Sequence, residues 1–258
     1  MLYSFRLRKM SQSTVIPKII KCRSDFGLGD SLINMYFFSK IAKYIESNNI
    51  IIYYYCKTQH HSNLEQFNSS ANIKLLPYSK DGYHLYQGPY LPSKKPVNIM
   101  LCDMFNDFLR HHSIPIVIDK FEYDDADLLI KYVPSPISDI DILFINSKPK
   151  SSQFNHNKHE LNQFIRELSQ KYRVAVSEKL DDTIISLETN RVREIAALAK
   201  TVKKVIAINT GPSLGLYNPE IIQNVEAIYI LDTTEDYNFT MEKFTKIRNV
   251  NELRFLLE

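Results

Sequence analysis

The chain has 258 residues, 44% hydrophobic and 24% charged, a balance that supports a buried core and excludes disorder as its main state. Its 32 Lys and Arg against 29 Asp and Glu leave a net charge of +3, which gives no reason to invoke nucleic acid but allows a local positive site for an anionic ligand. No run approaches the roughly 18–20 apolar residues of a membrane span, and no apolar secretory core follows the basic start, so a cytoplasmic address is the expectation.

Val15 to Cys22 is expected as a first strand, with Pro17 near its start where a missing N–H is tolerated. Arg23 to Asp30 (RSDFGLGD) is a glycine-bearing turn. Ser31 to Ser47 reads as a helix, because Leu32, Met35, Tyr36, Ser39, Ala42 and Ile45 recur at helical spacing, and Asn48 and Asn49 end it. Ile50 to Cys56 is a second strand, expected to be apolar on both faces as in a parallel sheet. This order is a βαβ unit. Ile73 to Leu76 and Val97 to Cys102 are expected as short strands, separated by an irregular stretch with four prolines and two glycines. A short helix over Asp103–His112 and a strand over Ile114–Ile118 follow. The acidic stretch Asp119–Ile140 carries Pro134 and Pro136, and a boundary is placed there, giving domains of residues 1–137 and 138–258.

The second half repeats the alternation. Strands are expected at Ile140–Ile145, Arg173–Val176, Thr183–Leu187, Lys204–Ile208 and Ala227–Leu231. Helices are expected at Lys158–Tyr172, at Thr189–Thr201 with Asn190 as a possible cap, at the start Asn218–Gln223, and at Asn251–Leu257. The fold class is α/β, with two Rossmann-like domains facing across a cleft.

Three turns that follow strands carry candidate chemistry. Gly27, Leu28, Gly29 and Asp30 form a GLGD turn whose glycines let the backbone approach a ligand closely. Asp30 is either a helix cap or a carboxylate presented at the C-terminal edge of a sheet. Without a full GxGxxG, a dinucleotide cofactor is disfavoured. Asn209, Thr210, Gly211, Pro212 and Ser213 form a second turn, read either as an ordinary Asn/Gly/Pro turn or as a set of donors for phosphate or ribose oxygens. Ser147, Lys148, Lys150, Ser151 and Ser152 lie in a basic loop that is either solvated or suited to a diphosphate.

The remaining chemistry-bearing residues point elsewhere. Cys22, Cys56 and Cys102, far apart and odd in number, make neither a disulfide framework nor a CxxC metal site, and buried packing is expected of them. His60–His61, His111–His112, and His156 with His159 have no acidic partner at ligand spacing, so no metal is expected. The acidic group Asp124, Asp125 and Asp127 reads as a solvated surface.

Taken in order, the turns resemble a known family. GLGDSL, Gly27 to Leu32, matches the GxGD turn of heptosyltransferases (glycosyltransferase family 9). Val192 to Ala199 (VREIAALA), followed by Val202 to Pro212 (VKKVIAINTGP), matches their C-terminal helix–strand–DTGP block. The resemblance implies a GT-B fold and inverting, metal-independent transfer of a sugar from a nucleotide-diphosphate donor to a glycan acceptor, with no cofactor. It implies Asp30 as general base, the Lys148–Ser152 loop and the Asn209–Ser213 turn on the donor, and Gly27–Gly29 as the acceptor-side loop. Two departures stand out: the family's Asp is Asn209 here, and its following His is replaced within Leu214–Gly215–Leu216. The missing His, together with a chain shorter than typical members, keeps open a second reading, a non-catalytic sugar-nucleotide or glycan-binding module. A sugar-nucleotide epimerase is disfavoured by the absent GxGxxG.

Overall fold

A computed structural model describes residues 16–85, 97–121, 137–149, 154–189, 191–234 and 243–257. The first part contains β1 (Lys18–Arg23), α1 (Leu28–Ser47), β2 (Ile50–Cys56), a short helical passage with α2 (His61–Leu64), β3 (Ile73–Pro77), β4 (Tyr83–His84) and α3 (Val97–His111). The second contains β5 (Ile142–Ile145), α4 (Lys158–Lys171), β6 (Val174–Val176), β7 (Ile185–Ser186), α5 (Val192–Ala199), β8 (Lys204–Ile208), a 3-10 turn Gly211–Leu216, α6 (Pro219–Asn224), β9 (Ala227–Leu231), β10 (Phe244–Ile247) and α7 (Val250–Leu257). No described helix is long and apolar enough to cross a membrane.

Two sheets result, with every described pairing parallel. Their orders are β3-β2-β1-β4 and β10-β9-β8-β5-β6-β7. In each the chain steps outward on one side and then crosses to the other, so the order reverses beside β1 in the first sheet and between β5 and β8 in the second. Such switch points open a crevice at the carboxyl ends of the strands, where α/β proteins place ligands. The turns singled out from sequence follow β1, β5 and β8.

β2 alternates rather than burying both faces. Ile50, Ile52, Tyr54 and Cys56 are buried, while Ile51, Tyr53 and Tyr55 are half-buried. One apolar core runs from Ile20, Ile52 and Tyr54 through Leu32, Met35 and Phe38 of α1 to Leu143, Ile145, Ile195 and Leu198. A second core fills the other face of the larger sheet, with Phe144, Phe164, Ile206 and Leu253. The two sheets thus share one core, and Phe121 lies with its ring 5.6 Å from that of Tyr217 where they meet. All three cysteines are free and buried.

Three further expectations need correction. Val97–Cys102 is not a strand but the opening of α3, in which Met100, Leu101, Met104, Phe105, Phe108 and Leu109 bury one face at helical spacing. Ile114–Ile118 forms no strand; both backbone groups of Ile118 bond to the Asn106 side chain instead of to a ladder, at 2.9 and 2.7 Å. α1 begins three residues before the expected Ser31, capped by Gly27. Val15, Asp124, Asp125, Asp127, Pro134, Pro136 and Asn190 lie outside the described residues.

Candidate active site

The first turn is built by the start of α1. Gly27 is the N-cap, in extended backbone with φ −74° and ψ 177°, and has no side chain to satisfy the helix. Asp30, at the third helical position, reaches back, and its Oδ2 accepts a hydrogen bond from the Gly27 N–H at 3.0 Å. The capping reading of Asp30 therefore holds in the structure. Its carboxyl is also raised above the usual range: burial is the largest cause, opposed by the Gly27 hydrogen bond and by the positive charge of Lys57 just past β2. A carboxylate shifted toward neutrality is a better proton acceptor near pH 7 than an exposed one, so capping and basicity coexist in one side chain.

Buried polar contacts brace this turn from behind. Ser31 Oγ donates to the Gly27 carbonyl at 3.3 Å and lies 3.5 Å from His60 Nδ1, while Asn34 Nδ2 donates to the Tyr54 hydroxyl at 2.9 Å. Across the switch point, His84 Nε2 lies 2.9 Å from Asp25 Oδ1, and Phe26, 40% exposed, sets its ring 5.6 Å from the His84 imidazole. Sequence reading missed this pair because β4 is two residues long.

The second turn follows β8. Ser213 is buried; its hydroxyl donates to the Thr210 carbonyl at 2.8 Å and accepts from the Thr210 N–H at 3.3 Å. The Thr210 hydroxyl donates to the Ile208 carbonyl at 3.2 Å. Asn209 Nδ2 donates to Asp232 Oδ2 at 2.7 Å. The Ser213 and Thr210 hydroxyls thus shape the turn itself, and Asn209 offers the open polar group.

The two turns meet. A Cβ placed on Gly211 would lie 3.0 Å from the Gly29 nitrogen and 3.0 Å from the Leu28 Cβ. One on Gly29 would lie 3.2 Å from Leu214 Cδ1 and 3.4 Å from the Gly211 Cα. The glycines are therefore used for backbone contact between the turns. Leu214, where the family resemblance has His, fills the space against Gly29. Gly215 is equally constrained, since a Cβ there would lie 2.8 Å from Val192 Cγ1.

The third turn follows β5. Asn146 Oδ1 accepts from Ser177 Oγ at 3.1 Å and from the Glu178 N–H at 2.8 Å, tying β5 to β6. Ser147 is 4% exposed, with its hydroxyl 3.4 Å from that of Ser177, so it faces inward. Lys148 is exposed. Lys150, Ser151 and Ser152 lie outside the described residues. Beside this edge, Glu178, Lys179, Leu187, Glu188, Thr189, Arg191 and Glu194 line an open hollow of about 580 Å³. Sequence patterns could not reveal it, because its wall comes from the loops after β6 and β7 and the first turn of α5.

His60 packs on Ser31, and burial pushes His112 down to about 4. Among the described residues no three His, Cys, Asp or Glu side chains are grouped as metal ligands would be.

No protein-family model matches the sequence, and no curated protein matches it. Solved structures do. The E. coli heptosyltransferase WaaC with ADP-2-deoxy-2-fluoro heptose aligns with a TM-score of 0.58 at 8% identity, over 93% of this chain and 99% of that one. A glycosyltransferase family 9 protein from Veillonella parvula aligns at 0.53 and 11% identity, over 93% and 90% of the two chains. The iron-containing dodecameric glycosyltransferase TibC from enterotoxigenic E. coli aligns at 0.50 and 10%, over 89% of this chain and 62% of that one. The chain thus has the two-lobed α/β fold, GT-B, of these glycosyltransferases.

Proposed function

We propose that the chain is a glycosyltransferase that moves a sugar from a nucleoside-diphosphate donor to an acceptor hydroxyl with inversion at the anomeric carbon. The observation that carries this reading is the backbone contact between the Gly27–Asp30 and Asn209–Ser213 turns at the carboxyl ends of the two sheets. Asp30 accepts the proton as the acceptor oxygen attacks the anomeric carbon, and the bond from that carbon to the β-phosphate oxygen breaks. The electron pair leaves with the nucleoside diphosphate. Lys148, with Lys150, offsets the charge that builds on it. Ser147 braces the edge that presents them, and Ser151 and Ser152 are assigned to the same phosphates. Asn209, Thr210, Gly211, Pro212 and Ser213 form the donor-side wall. Gly27, Leu28 and Gly29 form the acceptor side, and the 580 Å³ hollow takes the nucleoside. We assign residues 1–137 to the acceptor-side domain and 138–258 to the donor-side domain.

The donor class follows by likeness. WaaC was solved with ADP and with an ADP-heptose analogue, so ADP-sugars head the panel, with GDP- and UDP-sugars beside them. No metal step enters this reading, and since TibC is described as iron-containing, the assay carries arms with added iron and with chelator.

A second reading, donor binding without transfer, is favoured by Leu214, an apolar side chain against the Gly29 turn where the family resemblance has a histidine. The test is release of nucleoside diphosphate in the presence of glycan acceptors. The transferase reading expects release by the wild-type chain and loss of at least about 100-fold in Asp30→Asn, the scale of general-base catalysis. Nucleotide binding with no release from any donor–acceptor pair would establish the binding module instead.

A further inference from the structure

We infer that Asp232 is a positioning residue that fixes the amide of Asn209, so that its oxygen is presented to a hydroxyl of the donor; this rests on the donor-side assignment of Asn209 above. Asp232 directly follows β9, wholly buried at 0% exposure, beside the end of β8. Three donors converge on its carboxyl group. The Thr234 N–H and hydroxyl donate to Oδ1 at 2.7 and 2.6 Å, and Asn209 Nδ2 donates to Oδ2 at 2.7 Å.

The consequence is stereochemical. An ionised carboxylate accepts only, whereas an amide has one donating and one accepting end. Facing Asp232, Asn209 must turn its NH₂ inward. Its Oδ1 is then directed away from Asp232, and it has no partner among the described residues although Asn209 is only partly exposed. The hydroxyl protons of Thr210 and Ser213 go to backbone carbonyls, and the Asn209 amide oxygen is an acceptor whose direction Asp232 sets. An amide oxygen repels phosphate and suits an O–H donor: a ribose hydroxyl or a hydroxyl of the transferred sugar. The carboxylate that the family resemblance places at position 209 is absent, and Asp232 sets the polarity of its replacement from the neighbouring strand.

Substitution then has a signed outcome. In Asp232→Asn, the new amide oxygen keeps the two Thr234 bonds and the new NH₂ faces position 209. Asn209 must flip to accept it, and the group offered to the ligand becomes a donor. In the double variant Asn209→Asp/Asp232→Asn, the amide introduced at position 232 donates to the carboxylate introduced at position 209. The second oxygen of that carboxylate again faces outward as an acceptor.

The experiment titrates full-length protein by calorimetry with ADP, GDP and UDP, and with the corresponding glucose nucleotides, alongside a thermal melt. Asp232→Asn is expected to weaken the best-binding nucleotide about tenfold, the scale of one misdirected hydrogen bond, and the double variant to recover to within about threefold of wild type. A loss seen with the diphosphate alone assigns the ribose; a loss confined to the glucose nucleotide assigns the sugar. A lowered melting temperature in Asp232→Asn does not alter the test, because recovery in the double variant is the deciding readout. Unchanged affinity in Asp232→Asn, or a double variant no better than the single, would overturn the inference while leaving nucleotide binding intact. A wild-type chain that binds none of the nucleotides would overturn the donor reading and the inference together.

Discussion

Gly29 and Gly211 stand backbone to backbone, one in the turn after β1 and the other in the turn after β8; a Cβ on Gly211 would come within 3.0 Å of the Gly29 nitrogen. Backbone cannot swing aside as a long side chain can, so Gly211→Ala must push the turns apart by a few tenths of an ångström. The expected cost is about 1–3 kcal/mol of stability, the usual range for overpacking. Nucleoside diphosphate release should fall by more than the unfolded fraction explains. Unfolding midpoints and turnover measured on the same samples check this, and a fully active Gly211→Ala would separate the contact from function.

Asp30 both caps α1 and carries a raised carboxyl, and two substitutions separate these roles. Asn at position 30 retains an oxygen for the Gly27 N–H and removes the buried charge, so Asp30→Asn should melt no lower than wild type at pH 7. The sign follows from linkage. A carboxyl raised by burial favours the protonated form in the folded state, and ionisation above that value lowers stability. Asp30→Ala loses the acceptor and should cost about 1 kcal/mol. Thermal melts of both variants test the pair, and an Asp30→Asn destabilised as much as Asp30→Ala would contradict it.

The lobes are joined by a cap supplied across the interface. Arg191, the N-cap of α5, makes no side-chain cap bond; the Val192 N–H instead donates to Asn63 Oδ1 at 3.3 Å. Asn63→Ala leaves that N–H buried without its acceptor, and a loss of about 1 kcal/mol is expected. A shift in denaturant midpoint measures it; an unchanged midpoint would show that the contact adds nothing.

Acid sensitivity should reside partly in Asp25. The hydrogen bond with His84 is the main cause holding its carboxyl below the ordinary value of 3.8. A depressed carboxyl contributes stability above its unfolded value and loses it as pH falls through the folded one. His84→Ala should therefore narrow the gap between melting temperatures at pH 5 and pH 2.5. An identical pH profile in the variant would remove the pair from the acid response.

Much of the framework was legible in the chain. Ile50–Cys56, Lys204–Ile208 and Ala227–Leu231 are strands over the residues expected, because each is an apolar run bounded by polar or turn residues. Val97–Cys102 misled, since six residues cannot distinguish a buried strand from a helix, and the helical spacing becomes plain only when Phe105, Phe108 and Leu109 are included. The GLGD and NTGP turns were found by local chemistry. Asp232, Asn63 and the Asp25–His84 pair were not, because each acquires its meaning from a partner brought close by the sheets.

The most direct test of the account is a crystal structure of the full-length protein soaked with ADP, GDP and UDP together. The account predicts one nucleotide with its base in the hollow beside Leu187 and its diphosphate between Lys148 and the Asn209–Gly211 turn, facing Asp30 across the groove. A nucleotide bound elsewhere, or a diphosphate remote from both glycine turns, would contradict it.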